Sequence, residues 1–96
     1  MRIIWATPAL SGLQKIYEYI YESSPQNADR IVEEIIQKVT ALKENPEQYN
    51  PDRYKRNNTG EYRVFEHKKV RISYKVSADK IEVVRIKHTK QKPQKY

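Results

Sequence analysis

The sequence predicts an α+β domain in which a helical hairpin packs on one face of an antiparallel sheet. A short β-branched and aromatic segment opens the chain, and two segments of helical periodicity follow, each introduced by a Ser/Thr-Pro pair. Three strand-like segments joined by short turns come last. Strands grouped after helices favour an antiparallel meander, and the length of 96 residues indicates a single domain over 1–96.

The first half of the chain predicts one strand and two helices. Residues 2–6 suit an N-terminal strand, and Thr7-Pro8 reads as a helix start with Thr7 as the N-cap. Ser24-Pro25 begins a second helix in the same way, and we expect it to end near Asn45-Pro46. This second helix carries a sustained apolar stripe, which is formed by Ala28, Ile31, Val32, Ile35, Ile36, Val39 and Leu42.

The second half predicts a polar loop over residues 46–60 and then three strands. The strands cover 62–66, 70–76 and 81–86, and the basic tail 87–96 is expected to be extended. In the middle strand, apolar residues alternate with Arg71, Ser73 and Lys75, so this polar set should face away from the helices toward water.

The turn between the first two of these strands decides which side chains share a face. A three-residue turn at 67–69 pairs Phe65 with Arg71 and places Arg63 and Arg71 on one face, whereas a two-residue turn places the two arginines on opposite faces. We favour the three-residue turn because it leaves Val64 inward. It also leaves Phe65 on the open face, where an aromatic ring could stack on a base.

The charge of the chain is concentrated in one half. Residues 1–52 carry five Lys/Arg and eight Asp/Glu, and residues 53–96 carry fourteen and four, which gives net charges of −3 and +10. A basic block of this density indicates a polyanionic partner such as nucleic acid. The absence of cysteine excludes disulfides and thiolate metal sites. We also find no signal peptide or membrane span, so we expect a soluble cytoplasmic protein.

Metal-free cleavage of RNA needs a base for the 2′-hydroxyl, cations for the phosphorane and an acid for the leaving oxygen. Arginine suits the second task and histidine suits proton transfer near neutral pH. The basic half offers such groups at Arg63, Arg71, Arg85, Lys87, His88, Lys90 and Tyr96, with Glu61 as a spare carboxylate. The alternative for each is an ordinary role as a solvated or packing residue, so only their convergence in one cleft would indicate a site.

Short motifs along nearly the whole chain resemble the RelE/ParE superfamily of toxins from type II toxin–antitoxin modules. They are Trp5-x-x-x-Ala9, Leu13-x-x-Ile16-x-x-Tyr19-Ile20, Ser24-Pro25-x-x-Ala28-x-Arg30, Gly60-Glu61-Tyr62-Arg63-Val64, Val70-Arg71-Ile72-Ser73-Tyr74-Lys75-Val76 and Ile86-Lys87-His88-Thr89-Lys90. The resemblance implies the same small sheet packed by a helical hairpin. It also implies one of two activities, because RelE-like members cut mRNA in the ribosomal A site and ParE-like members poison DNA gyrase.

The resemblance further implies roles for individual residues. Arg71 matches the phosphate-stabilising arginine of the nucleases, Arg63 a basic position on the preceding strand, and Tyr96 a tyrosine that stacks on the substrate base. Lys90 falls where the nucleases have a general acid or charge stabiliser, and His88 resembles a C-terminal histidine of both branches. Phe65 stands where the nucleases carry a lysine base, so the base would be His88 or Glu61. The residues expected to bind RNA are Phe65, Lys75, Arg85 and Lys87.

From these observations we expect the toxin of a toxin–antitoxin pair that acts as a ribosome-dependent, metal-independent mRNA endoribonuclease without cofactor. The expected catalytic residues are Arg63, Arg71, His88, Lys90 and Tyr96. The alternatives are a ParE-like DNA gyrase poison without catalysis and a non-toxic basic RNA-binding domain. The expected partners are a cognate antitoxin with an acidic segment that folds on binding, and the ribosome with its mRNA; no membrane partner is expected.

Overall fold

The computed structural model describes all residues, 1–96, and contains two helices and one four-stranded sheet. Along the chain these are β1 (Arg2–Trp5), α1 (Thr7–Ser23), α2 (Pro25–Ala41), β2 (Tyr62–His67), β3 (Val70–Val76) and β4 (Lys80–His88). The predicted order of elements and the α+β class with one helix-covered sheet face are confirmed. No helix is long and apolar enough to cross a bilayer.

Both helices start at the predicted Ser/Thr-Pro pairs, but only α2 has a side-chain cap. Ser24 is the N-cap of α2, and its hydroxyl accepts a 3.2 Å hydrogen bond from the backbone N–H of Asn27. Thr7 is the first residue of α1 instead of its cap, and the N-cap is Ala6, whose side chain cannot accept a bond. Helix α2 ends at Ala41 and a tight turn continues to Glu44, so the predicted end at Asn45-Pro46 is slightly late.

The strands lie in the order β1-β4-β3-β2, so the first strand pairs with the last. Strands β2, β3 and β4 form the predicted antiparallel meander. Strand β1 instead runs parallel to β4, with Ile3 opposite Ile81, so the prediction of an entirely antiparallel sheet is wrong. The chain between β1 and β4 contains the helical hairpin as well as β2 and β3. Such a long connection allows β4 to lie beside β1 in the parallel sense.

The turn between β2 and β3 contains two residues, Lys68 and Lys69, and not the three that the sequence favoured. Both lysines have positive φ angles, 52° and 66°, as a tight hairpin turn requires. Phe65 therefore pairs with Ile72 and Glu66 pairs with Arg71. This register is one residue away from the predicted one and exchanges the faces of all side chains in β2.

The core lies between the hairpin and the face of the sheet that carries Ile72 and Tyr74. Helix α1 approaches β4 so closely at Gly12 that a Cβ there would lie 2.2 Å from the carbonyl oxygen of Ile86. Tyr74 is fully buried, and its hydroxyl donates a 2.7 Å hydrogen bond to the carbonyl of Pro46. Burial raises the pKa of Tyr74 to about 12.

The opposite face of the sheet is termed the open face here and carries Arg71, Ser73, Lys75, Arg85 and Lys87. The pairing of β3 with β4 shifts register between Ser73 and Tyr74, which brings Arg85 opposite Ser73, and Lys87 lies opposite Arg71. The outward direction of Arg71, Ser73 and Lys75 is confirmed, but their exposure to water is not. Arg71 is only 7% exposed and Ser73 only 1%, because other parts of the chain cover this face.

Candidate functional site

The cover of the open face is formed by the middle of the loop, around residues 52–56, and by the tail 91–96. Backbone bonds join the two segments, from Arg56 N–H to the Tyr96 carbonyl at 2.7 Å and from Tyr96 N–H to the Tyr54 carbonyl at 2.9 Å. The Tyr96 hydroxyl donates a 2.7 Å bond to Asp52, whose carboxylate is almost fully buried. The predicted polar loop is therefore a packed structural element, and the tail is fixed in place by its last residues.

Tyr96 lies against the open face, beside the predicted cation Arg85. The guanidinium of Arg85 lies 3.9 Å from the centre of the Tyr96 ring, and Arg85 Nη2 also donates a 2.9 Å bond to the Gln94 carbonyl. Burial, followed by the hydrogen bond to Asp52, raises the pKa of the Tyr96 phenol. A phenol held in its neutral form, with its ring already stacked on Arg85, has little capacity for proton transfer or base stacking.

Arg71 is the buried cation of the open face. Its Nε lies 3.6 Å from Glu66, and its guanidinium lies 5.3 Å from the centre of the Tyr54 ring. With Arg85 and Lys87 it lines a cavity of about 170 Å³ under the tail. This cavity has cations on its sheet side, which suits a phosphate group, but it is small and two of its cations already have partners.

Arg63 and Phe65 lie on the other side of the sheet. Arg63 pairs with Tyr74 and donates hydrogen bonds to the carbonyls of Tyr49, at 2.7 Å, and Glu47, at 3.3 Å. Phe65 is 5% exposed and stacks on the Tyr49 ring at 4.7 Å. The prediction that these two residues share the open face is wrong, because the two-residue turn reverses the faces of β2. Arg63 secures the loop to the sheet, and Phe65 has no exposed ring surface to offer to a base.

Lys75 lies on the open face near the other end of β3. Its ammonium is 5.6 Å from the centre of the Tyr62 ring and the residue pairs with Glu82 across the sheet.

Glu61, the spare carboxylate, accepts a hydrogen bond from the Thr59 hydroxyl, which lowers the pKa of Glu61. A carboxylate with a lowered pKa is a weaker base, so this environment does not favour Glu61 for abstracting a proton.

His88 and Lys90 lie at a third place, beside helix α1. The His88 ring meets the Tyr19 ring edge-on with 5.3 Å between centres, and the Lys90 ammonium lies 3.5 Å from the Tyr19 hydroxyl. Burial, followed by the charges of Lys90 and Lys69, lowers the pKa of His88. These residues line a groove of about 520 Å³ between α1 and the end of β4, which is termed the α1–β4 groove here.

The structure thus divides the predicted catalytic residues among three locations. Arg71 and Tyr96 both lie on the open face, against Tyr54 and Arg85 respectively. Arg63 lies in the helix-covered layer, and His88 and Lys90 lie in the α1–β4 groove. Only Lys87 and Gln91 line both the groove and the small cavity on the open face. The expected convergence of Arg63, Arg71, Lys90 and Tyr96 in one cleft is therefore wrong.

Sequence reasoning missed Asp52, Tyr54 and Gly12. Asp52 and Tyr54 stand in a stretch rich in Pro, Asn and charge, which resembles any surface loop, and no local pattern indicates that a partner 44 residues away buries the carboxylate. Gly12 carried a usable signal, because a glycine inside a helical pattern often marks close approach of another backbone.

The geometry describes a small basic protein whose sheet face is closed by its own tail and whose free cationic groups line a groove beside the first helix. A family model described as "ParE toxin of type II toxin-antitoxin system, parDE" matches residues 3–93. The chain belongs to this ParE toxin family. The resemblance to the RelE/ParE superfamily is thereby confirmed, and the family lies on its ParE side.

A solved structure supports the fold. The chain is similar to a structure titled "Chromosomal ParDE TA system from P. aeruginosa", with a TM-score of 0.70 and 22% sequence identity. The match covers 92% of this chain and 95% of that chain. A comparison with curated protein sequences gives no significant match. At this identity the structural similarity speaks for the fold alone.

Proposed function

We propose that this chain is the toxin of a type II toxin–antitoxin pair and that it acts by binding DNA gyrase, without cleaving RNA itself. Membership of the ParE family supports the toxin role. The observation that carries the choice of target is the dispersal of the residues that a metal-free ribonuclease would need. The groups that transfer protons and the cation that stabilises the phosphate must reach the same phosphate. Here the candidates for proton transfer, His88 and Lys90, lie in a different cavity from the candidate cation, Arg71.

The charges and pKa shifts of the candidate residues also favour gyrase binding over RNA cleavage. The two arginines of the open face have partners within the protein, Arg71 in an ion pair with Glu66 and Arg85 in stacking on Tyr96. The pKa of Tyr96 is raised and that of Glu61 is lowered, which moves both groups away from a role in proton transfer at neutral pH. The remaining basic surface is suited to binding a large partner by charge complementarity.

One observation favours mRNA cleavage as a second candidate. Arg71, Arg85 and Lys87 line one small cavity, and Tyr96 stacks on Arg85 beside it. If the tail were displaced on the ribosome, these cations would face a sugar–phosphate strand. This candidate keeps the roles predicted for Arg71, Arg85, Lys87 and Tyr96, but it needs a base that the open face does not supply.

The two candidates separate in one pair of assays with the purified chain. With gyrase and plasmid DNA, we expect inhibited supercoiling and gyrase-dependent double-strand breaks. In a reconstituted translation reaction, we expect the message to stay intact. Cleavage at ribosome-occupied codons with unaffected gyrase would establish the nuclease instead, and inactivity in both assays would overturn both candidates.

We infer that a cognate antitoxin covers the outer face of the helical hairpin. This face exposes large apolar side chains, with Leu10 at 51% and Ile36 at 43% exposed, and two shallow depressions there are lined by Tyr17 and Val32. An amphipathic segment that folds on binding would remove this surface from water.

A pair of substitutions tests this inference. Leu10→Asp with Ile36→Asp should prevent co-purification with the antitoxin expressed from the same operon, because each change places a charge in the apolar contact. Gln26→Asp, on the same hairpin at an already polar exposed position, should leave the complex intact. Retention of the antitoxin by the double variant would place its contact elsewhere.

A further inference from the structure

The charged side chains that line the α1–β4 groove are all basic. Its volume of about 520 Å³ lies in the usual range of sites for small molecules. The ionisable side chains along it other than Tyr19 are those of Lys15, Lys87, Lys90 and His88, and no carboxylate lines it. None of the three lysines forms an ion pair within the protein, in contrast to Arg63 and Arg71.

The hydrogen bonds of His88 leave one donor free. Its Nδ1 accepts a 3.0 Å hydrogen bond from the backbone N–H of Lys90, so in the neutral ring the proton resides on Nε2. Burial and the neighbouring lysines lower the pKa of His88, which favours this neutral ring. No group of the protein pairs with Nε2, so the groove offers an N–H donor in addition to its ammonium groups.

The start of α1 adds to the positive potential. Pro8, Ser11 and Gly12 from the first turns of the helix line the groove. This helix has no side-chain cap at its N-terminus and no acidic residue in its first turn, so the positive end of its dipole is uncompensated within the protein. Gly12 permits the close approach of α1 to Ile86 that brings the helix residues beside the end of β4.

The inner wall of the groove is apolar. Ile16 and Ile86 line it but are only 4% and 1% exposed, so the ring of Tyr19, which lies beside that of His88, is the main apolar surface open to a ligand. A ligand that fits such a groove has an acceptor-rich anionic end and a flat or apolar body. A phosphate group supplies three acceptor oxygens and close to two negative charges, which matches several ammonium donors better than a single carboxylate does.

We propose that the α1–β4 groove binds a nucleotide, with its phosphate held by Lys15, Lys87 and Lys90 and its sugar or base against the exposed Tyr19 ring. The site goes beyond the gyrase proposal, since neither depends on the other. The shared chemistry is a phosphate ester, which either a free nucleotide or the phosphorylated end of a nucleic-acid strand can supply.

The test is titration of the purified full chain with ADP, at constant ionic strength, followed by calorimetry and by the NMR signals of the His88 ring. We expect saturable binding that shifts the His88 signals. K15Q/K90Q should weaken it about tenfold or more, because two charge-assisted bonds are lost. K38Q/K43Q removes the same charge at the end of α2, outside the groove, and should change the affinity less than about twofold.

Competition with further ligands identifies which kind of phosphate ester the groove binds. Inorganic phosphate should compete with ADP and adenosine should not. A short DNA strand with a 5′-phosphate that competes better than ADP, and loses this advantage on dephosphorylation, would identify strand ends as the source, whereas equal or weaker competition would identify the free nucleotide.

Three outcomes would overturn the site. The first is equal weakening by K38Q/K43Q, which would mean unspecific attraction. The second is an absence of ADP binding at millimolar concentration while the thermal midpoint is normal. The third is displacement of ADP by an acidic peptide that binds more tightly, which would make the groove a protein-docking site. A failure of the gyrase assays would leave these measurements unaffected.

Discussion

The phenol of Tyr96 donates a 2.7 Å hydrogen bond to Oδ2 of Asp52, and this contact joins the tail to the loop over the open face. The other carboxylate oxygen of Asp52 accepts a 3.0 Å bond from the backbone N–H of Tyr54. The buried carboxylate therefore organises both segments of the cover, and it makes Tyr96 part of the folded structure.

Removing that phenol oxygen should destabilise the fold. In Tyr96→Phe the Oδ2 atom of a buried carboxylate loses its protein donor, which costs about 1–3 kcal/mol of unfolding free energy in urea denaturation. Tyr21→Phe is the control, because Tyr21 is 49% exposed and its hydroxyl has no protein partner. Equal stability of the two variants would contradict a structural role for the bond.

Tyr96 also makes the unfolding free energy depend on pH in alkaline solution. Its folded-state pKa is raised above the ordinary value of 10.0, so the folded state favours the neutral phenol. This contribution is complete below pH 10.0 and is lost as the pH rises beyond it toward the folded-state pKa. Unfolding free energies of the wild type and Tyr96→Phe should therefore converge in alkaline solution, and parallel curves would refute this linkage.

Gly12 should not tolerate a side chain although it lies in a helix. Alanine normally stabilises a helix interior by about 1 kcal/mol relative to glycine. Here the added Cβ would lie 2.2 Å from the Ile86 carbonyl oxygen, so α1 must move away from β4. We expect Gly12→Ala to lower the unfolding free energy by about 2–3 kcal/mol. The neighbouring Ser11→Ala, which is exposed, should be neutral or slightly stabilising, and a stabilising Gly12→Ala would disprove the close approach.

Substitutions in the Lys68-Lys69 turn should stabilise the fold. Both lysines occupy the left-handed region, with φ of 52° and 66°, where ordinary side chains are strained. K68N/K69G supplies residues that favour this turn and should raise the thermal midpoint, with a gain of about 1–2 kcal/mol. K68Q/K69Q removes the same charges and keeps the strain, so it should leave stability nearly unchanged. An equal gain in both variants would assign the effect to charge.

The hydrogen bond between Glu34 on α2 and His67 on β2 predicts that stability depends on pH in acid. Glu34 Oε1 lies 2.8 Å from His67 Nε2, and this hydrogen bond lowers the pKa of Glu34 below 4.5. The contribution of Glu34 to stability is therefore present above pH 4.5 and is lost as the pH falls through the lower folded-state pKa. The difference in unfolding free energy between wild type and Glu34→Gln should shrink over this range. A difference that stays constant as the pH falls would contradict this linkage.

Local patterns predicted the elements of this fold well. The Ser24-Pro25 pair marks the start of α2 because capping and proline geometry depend only on neighbouring residues. The alternation in β3 likewise placed Ile72 and Tyr74 in the core. The parallel partner of β1 was not predictable, because pairing of the first strand with the last depends on the path of the whole chain.

The candidate site was predicted only in part. Arg71, Arg85 and Lys87 do share a cavity. Alternation along β3 places Arg71 on the open face, whereas Arg85 and Lys87 reach that face through a register shift between β3 and β4 that the sequence did not indicate. Arg63 was misplaced because two consecutive lysines carry none of the Asn-Gly signature of a two-residue turn. The cover of the open face escaped prediction because its key contact joins residues 44 positions apart.

The place of β4 between β1 and β3 has a consequence for synthesis. The strand that begins the chain acquires its neighbour only after residues 80–88 have left the ribosome. A message cut short before that point yields a hairpin of helices without a continuous sheet, and such a fragment cannot form the packed domain. The topology thus delays completion of the four-stranded sheet until β4 has been synthesised, and products that stop before residue 80 lack the partner of the first strand.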